Sequence, residues 1–319
     1  MIDLLLKHSP SPIQKLFSSL LEEKEAQLFV KRDDQLHLEA MGHDDAFCGN
    51  KWRKLKYNLL KAKELQASTL LTFGGAFSNH IAAVAAAGKI FNFKTIGIIR
   101  GECPPTLNPT LRFAKSCGMR LKYVSRSAYR EKDSTTFRSS LVAEFGSFYS
   151  IPEGGTNDLA LKGAAEIPAE IEQQLGRLPD YICACCGTGG TLGGMIGGLH
   201  EKSKALGFSV LKGDFHTQEI QRLLSSKYDK VPMNWQIQTN YHFGGYAKYK
   251  TALIDFINHF KSKHHIALDP IYTGKMFYGI FDLLQKGYFP KASTIVAIHS
   301  GGLQGIAGFN ERFGDLIDL

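Results

Sequence analysis

The 319-residue sequence predicts an α/β fold with parallel sheets, in one large domain or two modest ones. Short apolar runs alternate with helical patterns, and this alternation is typical of parallel sheets covered by helices. Glycine turns follow three predicted strands, at Gly74-Gly75, at 187–190 and at Gly301-Gly302. Because ligands bind just beyond the carboxyl ends of strands in such folds, these turns are candidate ligand sites.

The predicted elements follow one another in a regular order. They are a strand at 68–73, an alanine-rich helix at 78–87, a strand at 95–99, a helix at 107–117, a strand at 121–124, a helix at 166–175, a strand at 181–186 and a late strand at 293–299. The stretch 201–234 is more polar and irregular, and its pattern places no element.

The formal net charge is +8 at pH 7, and basic residues are densest in one predicted helix. Apolar residues at helical spacing there, among them Trp52 and Leu55, mark one buried stripe. We expect most of the basic residues on a solvated face and no nucleic-acid partner, because no RNA-binding aromatic signature accompanies them. They are Lys51, Arg53, Lys54, Lys56, Lys61 and Lys63.

The six cysteines show no disulfide framework. Cys183 and Cys186 have C-x-x-C spacing, but they lie in an apolar run without a second pair, so we expect buried strand cysteines. Residues 1–10 do not resemble a signal peptide, and no apolar stretch approaches the length of a membrane span. We therefore expect a cytoplasmic protein without membrane contact.

The run Gly187-Thr188-Gly189-Gly190-Thr191 lies between a predicted strand and a helical pattern. Glycines let backbone N–H groups approach an anion closely, and a helix N-terminus adds a favourable dipole. The threonine hydroxyls are further donors, although the lysine of a P-loop is missing. The run predicts a phosphate site, with a tight structural turn as the alternative.

The segment Phe77-Ser78-Asn79-His80 opens the alanine-rich helix. Serine and asparagine are good N-caps, so capping is one interpretation. The other is a carboxylate site formed by the first N–H groups of the helix and the Ser78 hydroxyl.

Lys51 follows Asn50 at the start of the basic helix. The helix dipole disfavours a cation there and so favours the neutral amine. Because a neutral lysine is a nucleophile that forms Schiff bases, Lys51 is a candidate catalytic residue.

Five motifs occur in the order known from one enzyme family. They are G-N-K-W-R-K-L at 49–55, G-G-A-F-S-N-H at 74–80, C-G-T-G-G-T at 186–191, Y-T-G-K at 272–275 and H-S-G-G at 299–302. With them the chain resembles, from about Lys31 to Gly302, the D-cysteine desulfhydrase and 1-aminocyclopropane-1-carboxylate deaminase group. This group belongs to the tryptophan-synthase-β-like, or fold type II, pyridoxal-phosphate (PLP) enzymes.

The resemblance implies PLP as cofactor and a role for each motif. Lys51 would hold PLP and move the substrate α-proton, with Ser78 and Tyr272 as further catalytic residues. Ser78, Asn79 and His80 would bind the substrate, with Ser78 and His80 near its carboxylate, and residues 187–191 would bind phosphate. The remaining implied roles are a bond from Asn79 to the PLP phenolic oxygen, stacking of Tyr272 on the pyridine ring, a place for Tyr246 in the substrate pocket, and contact of Ser300 with the pyridine nitrogen.

The resemblance also implies two open, twisted α/β domains with PLP between them. Residues 1–50 and 159–319 would form the large domain, and residues 51–158 the small inserted one. A homodimer is typical of such relatives.

The implied activity is α,β-elimination from a small amino acid, as in D-cysteine desulfhydrases, which gives pyruvate, ammonia and sulfide. The main alternative is ring opening of 1-aminocyclopropane-1-carboxylate. Deaminases of that type carry glutamate and leucine where this chain has Thr273 and Ser300, which favours the desulfhydrase-like activity. A PLP-binding protein without catalysis and, more weakly, a nucleotide-binding protein are alternatives of other classes. Phe77 and Ala82 stand where glutamine and arginine are common, and Ser300 replaces the more usual threonine of the desulfhydrases, so the substrate is left open.

Overall fold

The computed structural model describes Leu5 and residues 9–36 and 46–318. Most of the stretch 1–10, for which the sequence predicts no signal peptide, lies outside the described residues. The strands within these ranges are β1 (Ile13–Leu16), β2 (Gln27–Lys31), β3 (Thr69–Gly75), β4 (Lys94–Arg100), β5 (Arg120–Val124), β6 (Tyr149–Ile151), β7 (Tyr181–Cys186), β8 (Lys204–Ser209), β9 (Trp235–Gln238) and β10 (Thr294–Ile298).

The strands form two sheets. Six of them have the order β1-β2-β10-β7-β8-β9, with β1 and β2 antiparallel and the other neighbours parallel. The other four have the order β5-β4-β3-β6 and are all parallel. Val296 of β10 lies opposite Phe29 of β2 and Ile182 of β7, so these three strands end at the same edge of the larger sheet.

Helices connect the strands, as expected for parallel sheets. Those within the described ranges are α1 (Ser19–Glu23), α2 (Gly49–Glu64), α3 (Asn79–Phe91), α4 (Pro109–Ser116), α5 (Arg126–Arg130), α6 (Thr135–Phe145), α7 (Asp158–Ala164), α8 (Glu166–Leu175), α9 (Gly190–Gly198), α10 (Phe215–Ser225), α11 (Thr251–His264), α12 (Thr273–Gln285) and α13 (Gly305–Phe313). None of them has the length and apolar character that a bilayer crossing requires.

Successive residues of β7 face opposite sides of the larger sheet. Cys183 belongs to an apolar core that includes Phe277 of α12, and Cys185 packs against that core. Ile182 and Cys186 belong to a second core, shared with α8 and α9. Cys183 and Cys186 are thus buried free thiols as predicted, and no cluster of three or more metal-ligating side chains occurs in the described part of the chain.

The predicted α/β class is confirmed, and β3, β4, β5, β7 and β10 match the strands predicted from sequence. The stretch 201–234, where the sequence places no element, contains β8 and α10. Gly207 interrupts the apolar pattern of β8, and a Cβ there would lie 2.5 Å from Ile237 and Leu192. The close packing that requires this glycine also weakens the strand signal.

The smaller sheet uses only strands between residues 69 and 151, and the larger sheet takes strands from both sides of that stretch. The domain boundaries themselves, 1–50 with 159–319 and 51–158, stay a prediction.

Three basic residues of α2 are buried, so the predicted solvated face is wrong for them. Arg53, Lys54 and Lys56 are each at most 3% exposed, whereas Lys63 is exposed. The Lys56 ammonium lies 2.8 Å from the carboxylate of Glu166, at the start of α8. Helices α7 and α9 pack against α2, and a periodic pattern in α2 alone cannot reveal such neighbours.

Buried ion pairs join α2 to the carboxyl end of β2. Arg53 donates to the Asp33 carboxylate at 2.6 and 2.8 Å and to the Glu170 carboxylate at 2.8 Å. Lys31, the last residue of β2, lies 2.9 Å from Glu170. This network fixes the helix that carries Lys51 at the edge of the larger sheet.

Candidate active site

Lys51 is the third residue of α2, and its amine is desolvated. Burial lowers its pKa to about 8, and the nearby Cys185 and Cys48 act in the opposite direction. The side chain makes no hydrogen bond to any residue that the structure describes. The amine is therefore partly neutral at neutral pH and available to a ligand, and burial rather than the helix dipole is the cause.

The run 187–191, called the phosphate loop after its predicted role, extends from the end of β7 into the first two residues of α9, and hydrogen-bond donors line it. Lys54 donates to Thr156 at 2.8 Å and to Thr188 at 3.2 Å, and Asn50 donates to Thr191 at 3.2 Å. Gly189 has the left-handed φ of 75°, which favours glycine. An ammonium, three threonine hydroxyls and a helix N-terminus are the chemistry that binds a phosphate.

The loop has no room for a side chain at Gly190. A Cβ there would lie 2.8 Å from Thr156 Oγ1 and 3.1 Å from Lys54 Nζ. Burial, and then the charge of Lys51, hold the pKa of Lys54 well below its usual range. An anion beside Lys54 would offset that cost, so the geometry suits a bound phosphate.

His216 of α10 supports the loop from behind. Its Nε2 lies 2.8 Å from the Gly187 carbonyl oxygen, and its Nδ1 lies 2.7 Å from Ser209 Oγ. Burial lowers its pKa, and a carbonyl can only accept, so the neutral ring donates from Nε2–H. The position of the loop thus depends on α10, which lies in the stretch 201–234, where the sequence predicts no element.

Ser78 and Asn79, at the start of α3, lie beside the loop that follows β10. The Ser78 hydroxyl accepts from the Ile81 N–H at 3.4 Å, so it caps α3 as predicted. A Cβ at Gly302 would lie 3.0 Å from Asn79 Nδ2, which shows how closely the two motifs approach. The Asn79 amide makes no side-chain hydrogen bond to the described residues, so it is available to a ligand.

His80 lies deeper than Ser78. Its Nε2 is 2.8 Å from Thr72 Oγ1, and the ring faces Gly155, where a Cβ would lie 3.0 Å from Cε1. Burial, and then the charges of Lys51 and Lys54, hold its pKa well below the usual range. His80 is therefore a neutral, buried neighbour of both lysines, and its contact with a substrate carboxylate stays a prediction.

Tyr272 precedes α12 and faces the phosphate loop. A Cβ at Gly187 would lie 3.1 Å from Tyr272 Cε1. Burial, and then Tyr246, raise the pKa of the Tyr272 phenol well above its usual range, so the phenol stays protonated. The Tyr246 and Tyr272 rings meet edge-on, with 6.1 Å between their centroids. Tyr246 as a residue is 41% exposed.

Ser300 is connected to both α2 and β7. Its carbonyl oxygen accepts from the Asn50 N–H at 3.1 Å, and a Cβ at Gly49 would overlap that oxygen. Its Oγ lies 3.3 Å from the Sγ of Cys185. Ser300, Lys51 and Tyr272 thus meet around the side chain of Cys185.

Cys185 and Lys54 belong to the site but were missed from the sequence. Burial raises the pKa of Cys185 to about 11, so it is a neutral thiol beside Ser300. The strand alternation offered a signal, because Cys185 is the last residue on the α12 side of β7 before the glycine run.

The chain matches the family model described as pyridoxal-phosphate dependent enzyme over residues 4–301. The chain belongs to this family. PLP is its cofactor, and the predicted resemblance is confirmed.

Individual relatives show which activities are named among proteins similar to this chain. The chain is 32% identical to a bifunctional D-cysteine desulfhydrase/1-aminocyclopropane-1-carboxylate deaminase, named mitochondrial, of Arabidopsis thaliana, over 94% of this chain and 78% of the relative. It is 29% identical to a putative 1-aminocyclopropane-1-carboxylate deaminase of Pyrococcus horikoshii, over 96% and 94%. The crystal structure of an ACC deaminase homologue superposes with a TM-score of 0.82 at 29% identity, covering 99% of both chains.

The residues present fit PLP. The donor-lined loop suits its phosphate, the desolvated Lys51 amine suits its carbonyl group, and Ser300 offers a neutral hydroxyl. The buried Lys54 amine, whose hydrogen bonds go to threonine hydroxyls and which an adjacent anion would keep charged, is the strongest sign of an anion site.

We expect Lys54→Met to weaken PLP affinity by about 10- to 100-fold, because a hydrogen bond to a charged group contributes about 1.5–3 kcal/mol. The measurement is a PLP titration of the apoprotein, followed by absorption. Lys56→Met is the matched control, because this buried lysine of the same helix pairs with Glu166 and not with the loop. Equal affinities in the two variants would contradict the placement of phosphate at Lys54.

Proposed function

We propose that this PLP enzyme catalyses α,β-elimination from a small β-substituted amino acid, with D-cysteine as the substrate. The products would be pyruvate, ammonia and sulfide. The relatives support this proposal, since one is named a D-cysteine desulfhydrase and several are named 1-aminocyclopropane-1-carboxylate deaminases.

D-cysteine is chosen because the Thr273 side chain is buried and hydrogen-bonded to Asp269. Thr273 is fully buried, and its hydroxyl donates to Asp269 Oδ1 at 2.7 Å and accepts from the Asp269 N–H at 2.9 Å. The Asp269 carboxylate also accepts from the N–H groups of Ile271, Tyr272 and Thr273. The side chains of Thr273 and Asp269 thus form hydrogen bonds at the start of α12, and position 273 offers no carboxylate for ring opening.

The roles follow from the positions of the side chains. When bound, PLP withdraws electrons from the substrate α-carbon. In this proposal the partly neutral amine of Lys51 takes the α-proton as the Cβ–S bond breaks and the thiolate leaves with the bonding electrons. Water then completes the release of the keto acid and ammonia.

The other residues bind and orient. Ser78 and the first N–H groups of α3 would hold the substrate carboxylate, as helix N-termini hold anions. The protonated Tyr272 phenol would donate a hydrogen bond to the leaving sulfur. Ser300 would donate to the ring nitrogen without ionising it, because a hydroxyl is a neutral donor.

Ring opening of 1-aminocyclopropane-1-carboxylate is the second candidate, favoured by the names of the Pyrococcus relative and the superposed crystal structure. The two candidates use the same Lys51 and phosphate loop. They differ in the groups at positions 273 and 300, which makes a comparison of substrates decisive.

The test offers D-cysteine, L-cysteine and 1-aminocyclopropane-1-carboxylate to the PLP-loaded enzyme and quantifies keto acid and ammonia. We expect equal amounts of pyruvate and ammonia from D-cysteine, at a rate at least about tenfold above that with the cyclopropane substrate. Efficient turnover of the cyclopropane substrate with none of D-cysteine would favour the second candidate. Bound PLP without turnover of any amino acid would favour a non-catalytic protein.

We also propose a cytoplasmic homodimer and the two-domain division at 51–158. The resemblance supports the homodimer and the division, and the confinement of the smaller sheet to residues 69–151 also supports the division. Light scattering, cell fractionation and limited proteolysis test these points in turn.

A further inference from the structure

The segment 241–247, between β9 and α11, has an unfavourable backbone. Phe243 and Ala247 have φ of 53°, and Gly244 and Gly245 have φ of 101° and 120°. Left-handed backbone is unfavourable for residues with a Cβ, so the two non-glycine residues need support from their surroundings. Tyr246 lies inside this segment.

One face of α12 holds the first half of the segment. The Tyr241 hydroxyl donates to Asp282 Oδ2 at 2.7 Å, and the Phe243 ring meets the Tyr278 ring edge-on at 4.9 Å. These contacts end at Phe243, so they do not reach the peptide group that precedes Tyr246.

Lys275, one turn earlier on α12, reaches the second half as well as the first. Its Nζ donates to the His242 carbonyl at 2.9 Å and to the Gly245 carbonyl at 2.8 Å. The Gly245 carbonyl belongs to the peptide group that joins Gly245 to Tyr246. Among the described residues, Lys275 makes the only side-chain hydrogen bond to that peptide group.

The Lys275 ammonium is buried, with 1% of the residue exposed. Burial lowers its pKa to about 8, and Asp269 acts against this, so the group is mostly charged at neutral pH. A buried cation needs compensating acceptors, and two backbone carbonyls supply them here. The cation and the segment therefore stabilise each other.

We infer that Lys275 is a positioning residue that fixes Tyr246 beside Tyr272 and so shapes the substrate pocket. Lys275 lies three residues after Tyr272, so one helical turn sets the places of both rings. The inference rests on the proposed function and on the place in the substrate pocket that the family resemblance implies for Tyr246. A purely structural role would stabilise α12 without changing substrate binding.

The first experiment measures hydrogen exchange across 242–248 in the PLP-loaded protein. In Lys275→Met we expect exchange at the Gly245 and Lys248 amides to rise by about tenfold or more, because their acceptor carbonyls lose the cation. Lys275→Gln keeps a neutral donor, so a smaller rise is expected. Lys56→Met, which removes a buried lysine of α2, should leave these amides unchanged.

The second experiment uses an amino acid that the wild-type enzyme turns over. Lys275→Met should raise KM by about tenfold while kcat changes less, with PLP affinity unchanged, because Lys275 is not bonded to the phosphate loop. In a Tyr246→Ala background, Lys275→Met should add no further rise in KM, because it acts through Tyr246.

Native exchange in a folded Lys275→Met protein, or in Lys275→Gln if the first variant does not fold, overturns the inference. So does an additive KM effect in the Tyr246→Ala background, or faster exchange with unchanged KM. If the wild-type enzyme turns over no amino acid, the proposed function fails by itself. The exchange result then still decides whether Lys275 holds the segment, and absorption changes on adding amino acids report binding.

Discussion

Replacing Lys51 with alanine is expected to lower keto-acid production by at least about 10³-fold and to abolish covalent attachment of PLP. The amine is both the attachment point and the proposed base for the α-proton. The fold should survive, because the Lys51 side chain makes no hydrogen bond to the described residues and pairs with no carboxylate among them. Loss of the amine therefore removes chemistry and little stability.

The measurements are keto-acid release, the absorption of bound PLP and the circular dichroism of the variant. Lys61→Ala is the control, because Lys61 lies on the same helix but pairs with Glu64 at the surface. Turnover of Lys51→Ala at the wild-type rate would contradict the assignment.

Arg53→Met is expected to cost about 3–5 kcal/mol of unfolding free energy, because removing one partner leaves uncompensated buried charges. The side chains of Arg53 and Asp33 are fully buried, and that of Glu170 is 11% exposed. Methionine fills much of the arginine volume, so the loss reports the ion network more than a cavity. Lys31 continues to pair with Glu170, and Asp33 loses its strongest donor.

Chemical unfolding of the PLP-loaded protein, followed by circular dichroism, measures this loss. The control is Arg112→Met, because Arg112 pairs with Glu311 at 3.2 Å and both side chains are about half exposed. We expect the control to cost at most about 1 kcal/mol. Equal losses in the two variants would show that the buried network does not stabilise the position of α2.

The strands and the order of the motifs could be predicted because they depend on local patterns. Apolar runs ended by glycine marked β3, β7 and β10, and the same glycines mark the carboxyl ends where the site lies. The helix-start argument predicted a lowered pKa for the Lys51 amine, and the pKa is lowered, but burial is the cause. The strand and glycine patterns need only a residue and its neighbours in sequence.

The site contacts of Lys54 and His216 could not be predicted, because they join distant segments of the chain. Lys54 appeared as one of several solvated lysines, and only Thr156 and Thr188, more than one hundred residues away in sequence, make it part of the phosphate loop. His216 supports Gly187 from a helix whose polar sequence gave no clear signal. A pattern within one element cannot identify the segment that will pack against it.

Reduction of the PLP-loaded protein with sodium borohydride, followed by peptide mass mapping, tests most directly whether Lys51 holds the cofactor. Reduction fixes PLP to the amine that carries it. We expect the added pyridoxyl-phosphate mass on the peptide that contains Lys51, and none on the peptides of Lys54 or Lys275. The added mass on another lysine, with Lys51 unmodified, would contradict the assignment of the active site.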